Sequence, residues 1–281
     1  MKSFLIALMA AAFATPSLAT QAHAAPVDVE LWRLDCGRIA VKDLGVFSDT
    51  GRYAGVSRTL TDSCYLIRHG TDYMLWDTGL PAGLLAAKID PAAAFSPTLD
   101  YDLPSQLKII GLMPDRIKWL GISHDHFDHM GQMSSFPKAT LLIGKADFDA
   151  LKAGAQGFGL DPSLAGPWLQ GDAKADPVTG DRDVFGDGSV VMLAMPGHTA
   201  GETALLVRLA HLGPVLLSGD VAHFETQLAN NGVPPFNADR ADSLASLDRL
   251  KSMATTLHAT LVVQHDADDI AKLPAFPKSA K

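Results

Sequence analysis

A run of histidine and aspartate side chains directly after an apolar segment constrains this chain more than any other feature. The segment Ile117–Ile122 predicts a strand, and the letters that follow it are Ser-His-Asp-His-Phe-Asp-His. The four side chains of interest are His124, His126, Asp128 and His129. Alternate side chains of an extended chain point the same way, so the first two histidines can reach one metal ion. A turn after them would aim the other two side chains at a second ion. Solvated polar residues on a loop are the alternative, which so dense a cluster disfavours.

Four more candidate residues each follow an apolar segment elsewhere in the chain. These residues are Asp77, His198, Asp220 and His265. Open α/β sheets place their sites just beyond the carboxyl ends of their strands. Taken singly, each of these residues could be a cap or turn residue. Together with the histidine run, they predict one site that holds two ions. Neutral imidazole and carboxylate ligands suit zinc, and pairs of metals roughly 3.5 to 4 Å apart recur in hydrolytic enzymes.

The order of apolar and polar segments predicts an α/β fold with two similar halves. The segment Cys64–Asp77 reads as two short strands joined by a polar turn and followed by an aspartate, and Thr203–Asp220 repeats that plan. Chance resemblance between two hairpins is the alternative. Strands over Ile117–Ile122 and Thr140–Ile143 and a helix over Lys145–Lys152 alternate between the hairpins. The stretch Ala153–Gly188, rich in Gly, Pro and Asp, predicts a long surface excursion that borders a cleft.

The N-terminus predicts export of a single mature domain. Lys2 precedes the uncharged apolar run Phe4–Ala14, and Ala22-His23-Ala24 fits the small-residue pattern at which signal peptides are cleaved. A membrane anchor is the alternative, but the run is shorter than the roughly 20 residues that span a bilayer. An earlier cleavage site at Ser17–Ala19 stays open. We therefore expect a signal peptide over residues 1–24, one domain over residues 25–281, and a periplasmic or secreted protein.

The net charge narrows the classes of binding partner, and the two cysteines allow a disulfide. Loss of Lys2 with the signal peptide changes the formal net charge from −8 to −9, which is unsuited to nucleic acid or to anionic lipid. We expect a small-molecule substrate and no nucleic-acid or membrane partner, and the sequence leaves the oligomeric state open. Cys36 and Cys64 can form a disulfide in an oxidising compartment or stay as free buried thiols, and the sequence does not decide between these.

The order of these motifs resembles the metallo-β-lactamase superfamily over nearly the whole mature chain. Its elements here are an Asp after an apolar strand, H-x-H-x-D-H, Pro-Gly-His-Thr-x-Gly, a second Asp and a final His. The resemblance implies a four-layer αββα fold built from two similar half-domains. By the same resemblance the first metal is held by His124, His126 and His198, and the second by Asp128, His129 and His265. It also implies that Asp220 bridges the two ions and that Asp77 hydrogen-bonds a ligand histidine without touching metal.

Within that superfamily the chain most resembles the N-acyl homoserine lactonases. The bridging Asp220 is absent from true zinc β-lactamases, the 16 residues after His265 leave no room for a glutathione-binding region, and the acidic chain does not suit a nuclease. The stretch Asp35–Asp49 and the ending Gln264–Asp266 add to the likeness. The implied activity is a dinuclear zinc hydrolase that opens lactone or ester bonds, acting in quorum quenching. A phosphotriesterase of the methyl parathion hydrolase type is the alternative, followed by a β-lactamase and by a non-catalytic metal-binding protein.

Two catalytic roles follow from the resemblance. Asp128 is placed to shuttle a proton from the nucleophile to the leaving group. Lactonases of this kind often carry a tyrosine three residues after the bridging aspartate, where this chain has His223, which is either a hydrogen-bond donor to substrate or a structural residue. An acyl tail needs an apolar cleft, although core packing is the more common role of such side chains. The candidates for its lining are Met113, Phe158, Trp168, Phe224 and Phe236.

Overall fold

Two β-sheets form the centre of the computed structural model, which describes residues 27–281, so the predicted signal peptide lies outside the described residues. The strands of the first sheet are β1 (Val29–Val41), β2 (Arg58–His69), β3 (Asp72–Trp76), β4 (Phe95–Thr98), β5 (Ile117–Ile122) and β6 (Thr140–Ile143). They lie in the order β4-β1-β2-β3-β5-β6. The strands of the second sheet are β7 (Arg182–Asp183), β8 (Val190–Ala194), β9 (Thr203–Leu209), β10 (Gly213–Leu217) and β11 (Thr260–Val262). Their order is β11-β10-β9-β8-β7.

Helices cover the outer faces of the sheets and form several of the connections. The α-helices are α1 (Leu103–Ile109), α2 (Phe127–Met130), α3 (Lys145–Lys152), α4 (Gly166–Leu169), α5 (Glu225–Asn230), α6 (Arg240–Leu257) and α7 (Ala267–Ile270). Short 3₁₀ turns occur at Leu44–Phe47, Ala82–Leu84, Pro114–Arg116, Met133–Ser135, Pro162–Ala165 and Gly219–Val221. Asp102 caps α1 by accepting a hydrogen bond from the amide of Ser105 at 2.7 Å, and Pro104 lies in the first turn of the helix.

Alternation along the strands produces three apolar layers. Met74 and Trp76 of β3 face the second sheet, while Leu75 between them faces the helical side of the first sheet. Side chains also alternate along β10, where Val215 faces the first sheet and Leu216 packs in the layer that contains α6. Burial on both faces explains why these strands read as continuous apolar runs. The result is the predicted αββα order of layers.

The two predicted hairpins occupy matching places in the two sheets. Strands β2 and β3 pair antiparallel, and β3 then pairs parallel with β5. In the second sheet β9 and β10 pair antiparallel, and β10 pairs parallel with β11. The carboxyl ends of β3, β5, β10 and β11 therefore lie at one edge of the two packed sheets. The predicted elements at Ile117–Ile122, Thr140–Ile143 and Lys145–Lys152 are confirmed with the same bounds.

The excursion Ala153–Gly188 carries more structure than its composition predicts. It contains a 3₁₀ turn, the short helix α4 and strand β7. Trp168 of α4 is buried, and its indole N–H donates to the carbonyl of Ala139 at 3.1 Å, which ties the excursion to the core beside the first sheet.

Cys36 of β1 and Cys64 of β2 form a disulfide between neighbouring strands, with a Cα–Cα distance of 5.8 Å. Both cysteines are fully buried. Within residues 27–281 no helix combines the length and the hydropathy that crossing a bilayer requires.

Candidate metal centre

The structure brings together all seven residues that the sequence predicts as metal ligands. His124 and His126 lie on the loop after β5, and α2 begins directly behind them, which places Asp128 and His129 one turn further on. His198 follows β8, Asp220 lies in the 3₁₀ turn after β10, and His265 follows β11. The first sheet therefore supplies four of the side chains and the second supplies three.

Three histidine nitrogens converge as the first predicted set. Nδ1 of His126 lies 3.0 Å from Nε2 of His124 and 3.0 Å from Nε2 of His198. The two outer rings approach the ring of His126 nearly at right angles, which directs ring nitrogens rather than ring faces at the common point. Imidazole nitrogens arranged in this way suit one divalent ion.

The second predicted set also comes together, and Asp220 lies between the two sets. Ligand atoms of Asp128, His129 and His265 all lie within 4.8 Å of one another. Oδ1 of Asp220 is 3.0 Å from Nε2 of His265 and 3.4 Å from Nε2 of His129. Its other oxygen, Oδ2, is 3.5 Å from Nε2 of His198 and 3.9 Å from Nε2 of His124. One carboxylate oxygen therefore faces each set.

Polar groups behind the histidines fix the orientation of their rings. Oδ2 of Asp77 lies 3.0 Å from Nδ1 of His129, a contact of the kind that the superfamily resemblance implies for Asp77. The same carboxylate accepts hydrogen bonds from the amide and the hydroxyl of Ser123 and from the side-chain amide of Gln264. Nδ1 of His265 donates to the carbonyl of Thr61 at 2.6 Å. In each case Nε2 is left to face the ligand cluster.

Two side chains that orient ligand histidines were not predicted from the sequence. Oδ1 of Asn237 lies 3.0 Å from Nδ1 of His198. Oε2 of Glu202 lies 3.1 Å from Nδ1 of His124, and Oε1 accepts the backbone N–H of Asp220 at 3.0 Å. The sequence did contain a signal for Glu202, which lies four residues after His198 and next to a strand of apolar residues. Charged residues are rarely buried without a partner, so a glutamate in that place indicates a contact. Asn237 lies in a loop, and nothing in the sequence marks it.

The electrostatics of the cluster favour the metal-binding forms of His124, His198 and Asp220, whereas Asp220 outweighs burial to raise the pKa of His129 and of His265. Burial lowers the pKa of His124 and of His198 well below the usual value, so both imidazoles are neutral at physiological pH. Burial alone would raise the pKa of Asp220, but His265, His223 and His129 together hold it well below the usual value. The carboxylate is therefore ionised, which is the form that binds a cation.

The donor set fits a pair of divalent ions. It contains five histidines and two carboxylates, a nitrogen and oxygen set that zinc accepts. Nε2 of His129 and Oδ1 of Asp220 are buried and lie near each other, but neither makes a well-oriented hydrogen bond in the part of the chain that the structure describes. Buried polar atoms without partners are costly, and coordination of a cation would satisfy both. The individual ligand roles stay predictions.

His223 lies beside the centre with its ring facing Asp220. Nε2 of His223 is 3.1 Å from Oδ2 of Asp220, and the ring packs edge-on against Phe47 at 4.8 Å between centroids. Nδ1 is buried and has no hydrogen-bond partner among residues 27–281. His223 also lines the cavity above the cluster, and its role as a hydrogen-bond donor to substrate stays a prediction.

An apolar cavity of about 280 Å³ opens above the cluster. The side chains that line it include Ile39, Val41, Phe47, Leu60, Phe95, Pro97, Phe127, Phe158 and Phe236 above His126, Asp128, His198, Asp220, His223 and His265. Four of the phenylalanines contact one another in a closed cycle that we call the phenylalanine collar. Its centroid distances are 6.3 Å for Phe47–Phe95, 5.6 Å for Phe95–Phe158, 5.9 Å for Phe158–Phe236 and 5.5 Å for Phe236–Phe47.

The prediction of the cleft lining was right for two of its five residues. Phe158 and Phe236 line the cavity, whereas Met113, Trp168 and Phe224 do not. Met113 is 59% exposed on the surface, and the other two side chains are buried in apolar packing. Sequence reasoning also missed Phe47 and Phe95, which reach the cavity from the 3₁₀ turn after β1 and from β4.

Comparison with known proteins identifies the family. The family model described as the metallo-beta-lactamase superfamily matches residues 59–265, which contain every candidate ligand. The chain belongs to this superfamily. The N-acyl homoserine lactonase AttM of Rhizobium radiobacter is 27% identical over 269 residues, covering 89% of this chain and 98% of that protein. An N-acyl homoserine lactonase of a Bacillus species is 26% identical over 243 residues, covering 80% of this chain and 92% of that protein.

Solved structures agree on the superfamily fold. One is an N-acyl homoserine lactone hydrolase with the product N-hexanoyl-L-homoserine bound at its catalytic metal centre. It superposes with a TM-score of 0.75 at 22% identity and covers 91% of this chain and 100% of that one. The dizinc quorum-quenching lactonase AidC superposes with a TM-score of 0.64 at 18% identity, covering 91% of each chain.

Proposed function

We propose that this member of the superfamily is a dizinc hydrolase that opens the ring of N-acyl homoserine lactones, and so acts in quorum quenching. The observation that carries the proposal is the position of Asp220, which presents one oxygen to each of two histidine-rich sets at the floor of an apolar cavity. The lactonase relatives, matched over most of both chains, support the choice of substrate. They do not favour the phosphotriesterase alternative.

The residues at the floor of the cavity would hold the ions and move a proton. His124, His126 and His198 would hold one ion, and Asp128, His129 and His265 the other. When bound, such ions lower the pKa of water towards about 7 and stabilise negative charge on a carbonyl oxygen. Asp128 lines the cavity beside the ligand cluster, so its carboxylate can accept the proton of the nucleophile and return it to the ring oxygen as that oxygen leaves.

The walls of the cavity would bind the acyl group and exclude water. Phe47 is buried, while Phe158 is 64% exposed at the mouth, so the collar extends from the protein interior to solvent. Apolar side chains around a few polar groups are typical of small-molecule sites. His223, with Nε2 beside Asp220, would donate a hydrogen bond to the substrate carbonyl in place of the tyrosine of related lactonases.

We also propose that the mature protein is periplasmic or secreted. The N-terminal sequence supports this proposal through its short apolar run and its cleavage pattern at Ala22–Ala24. The disulfide between Cys36 and Cys64 supports it independently, because structural disulfides form and persist in oxidising compartments.

A substrate panel tests the proposed activity. Residues 25–281 would be purified with zinc and offered hexanoyl homoserine lactone, an aryl ester, a β-lactam and a phosphotriester, each with and without chelator. We expect the lactone to react fastest, with a proton released per ring opened, and the rate to disappear with chelator and return with zinc. Asp115→Ala is a matched control for Asp220→Ala, because Asp115 is an exposed aspartate paired with Lys138. Full activity in metal-free protein, or faster cleavage of the phosphotriester or the β-lactam, would refute the proposal.

A further inference from the structure

Asp147 of α3 is a buried aspartate outside the ligand cluster that binds the segment carrying His198. The hydroxyl of Thr199 donates to Oδ2 of Asp147 at 2.7 Å, and the backbone N–H of Gly201 donates to Oδ1 at 2.6 Å. The residue is 2% exposed. Both carboxylate oxygens are therefore engaged with the loop that follows β8.

The same carboxylate also lies close to the segment that carries the other two histidines of the first set. Burial raises the pKa of Asp147 to about 6, and hydrogen bonds from Thr199, from Gly201 and from the backbone of Asp125 oppose that rise. Asp125 lies between His124 and His126 in the chain. One side chain therefore touches a segment from each half of the molecule.

The loop after β8 and the start of α3 pack too closely to admit an additional carbon atom. A Cβ atom on Gly201 would lie 2.6 Å from Cγ of Asp147, and a Cβ atom on Gly144 would lie 1.9 Å from the carbonyl oxygen of Gly201. The glycines allow the loop after β8 to approach the start of α3 this closely. The contact is thus closely defined in space.

We propose that Asp147 is a positioning residue that holds the His198 segment in register with His124 and His126, so that the three nitrogens of the first set converge. This inference rests on the metal centre of the proposed function. It predicts that Asp147 matters more for the first ion than for the second, because its hydrogen bonds go to residues directly next to His124, His126 and His198.

A purely structural role makes a different prediction. Asp147 lies in the first turn of α3, where an acid interacts favourably with the helix dipole. If that interaction were its whole contribution, its loss would destabilise the fold and weaken both ions alike. Separate affinities for the two ions therefore distinguish the roles.

Zinc affinity measured in single-site backgrounds provides the test. His265→Ala would leave the first set intact and His198→Ala the second, and zinc alone would be titrated against a chromophoric competitor. Each background would carry Asp147→Ala, Thr199→Val or both. Thr199→Ser keeps the hydroxyl and is the matched control, and thermal unfolding would follow fold stability.

We expect Asp147→Ala to weaken zinc at the first set by about tenfold, as for other groups that orient metal ligands. Thr199→Val should weaken it by about threefold and add nothing on top of Asp147→Ala, because both remove the same contact. Thr199→Ser, and Asp147→Ala in the His198→Ala background, should change zinc affinity less than about twofold.

Equal weakening at both sets, no weakening at the first set, or additive effects of the two substitutions would overturn the inference. If Asp147→Ala does not fold, Thr199→Val still decides, since unchanged affinity at the first set would contradict the proposed role. A wild-type protein that takes up zinc and hydrolyses the lactone while these variants bind normally would refute this inference alone. A wild-type protein that binds no zinc would refute the proposed function as well.

Discussion

The first sheet contributes four candidate ligands within the six consecutive residues 124–129, whereas the second contributes three from turns spread over residues 198–265. Both groups lie at carboxyl ends of strands, and both follow hairpins that occupy matching places in their sheets. The compact group has two adjacent short-range elements, a loop and the helix α2, to fix its geometry. The dispersed group depends on the packing of β8, β10 and β11 to bring its three side chains to one point.

The largest effect should come from the carboxylate shared by both groups. Asp220→Ala should lose both ions and reduce lactone hydrolysis by about 10⁴-fold, because several kcal/mol of charge stabilisation depend on the metals. His198→Ala should also lose most activity but keep one ion. Zinc per chain, measured beside the hydrolysis rate, checks both. Retention of two ions by Asp220→Ala would show that the two groups bind metal independently.

The disulfide stabilises the first half alone, since both cysteines belong to β1 and β2. Replacing both with serine should lower the free energy of unfolding by about 3 to 4 kcal/mol, given the sequence separation of 28 residues. Denaturant unfolding of the two forms measures the difference. Lactone turnover well below the unfolding transition should be unchanged, and a selective loss of the ion held by His198 would contradict the assignment of this bond to the first half.

A catalytic role for the compact group, beyond ligation, is tested at Asp128. Asp128→Asn should keep zinc and lose about 100-fold in kcat, because an amide cannot accept the proton of the nucleophile. Metal content and kcat measured on the same preparation separate ligation from proton transfer. Normal turnover by a zinc-loaded Asp128→Asn protein would show that the compact group supplies metal ligands but does not transfer the proton.

The collar joins the two halves above the ligand cluster, because Phe158 belongs to the excursion between the sheets and Phe236 to the segment before α6. Phe158→Ala should raise KM by about tenfold for a decanoyl lactone and less for a butanoyl one, since the lost contact is apolar. Leucine at the same position should restore most of the affinity. An equal rise for both chain lengths would place the acyl group elsewhere.

The candidate ligands of the first half were easier to predict from the sequence than those of the second half, for a physical reason. The run from His124 to His129 predicts a metal site from the sequence alone, because all four side chains come from one loop and the helix turn that follows it. The single residues Asp220 and His265 became convincing only through their positions after apolar strands. Asn237 and Glu202 were missed, since their roles depend on contacts that span 39 and 78 residues of chain.

The same distinction explains the errors around the cavity. Phe47 and Phe95 come from short elements whose direction depends on tertiary packing, so no local pattern indicates that they meet Phe158. Trp168 is an aromatic residue of the kind that lines clefts, but its indole N–H donates a hydrogen bond to the carbonyl of Ala139 in the core. The hairpins were predictable because apolar runs broken by polar turns indicate buried strands, whereas the four layers followed from the resemblance to the superfamily.

The smallest effect concerns a hydrogen bond between the halves. His69 at the end of β2 lies 2.8 Å from Asp187, and hydrogen bonds from Ser189 and His69 outweigh burial to lower the pKa of Asp187 to about 2. A lowered pKa means that the carboxylate stabilises the fold above about pH 4, and that this contribution is lost as the pH falls through 2. Asp187→Asn should therefore shift Tm slightly at pH 6 and not at pH 2. Solvent exposure keeps the effect small.

Anomalous X-ray diffraction at the zinc edge, from crystals of the mature protein grown with zinc, tests the central claim most directly. We expect two peaks roughly 3.5 to 4 Å apart, one at each predicted set, with the two oxygens of Asp220 directed at different ions. A single peak, or an Asp220 side chain turned away from both ions, would contradict the account.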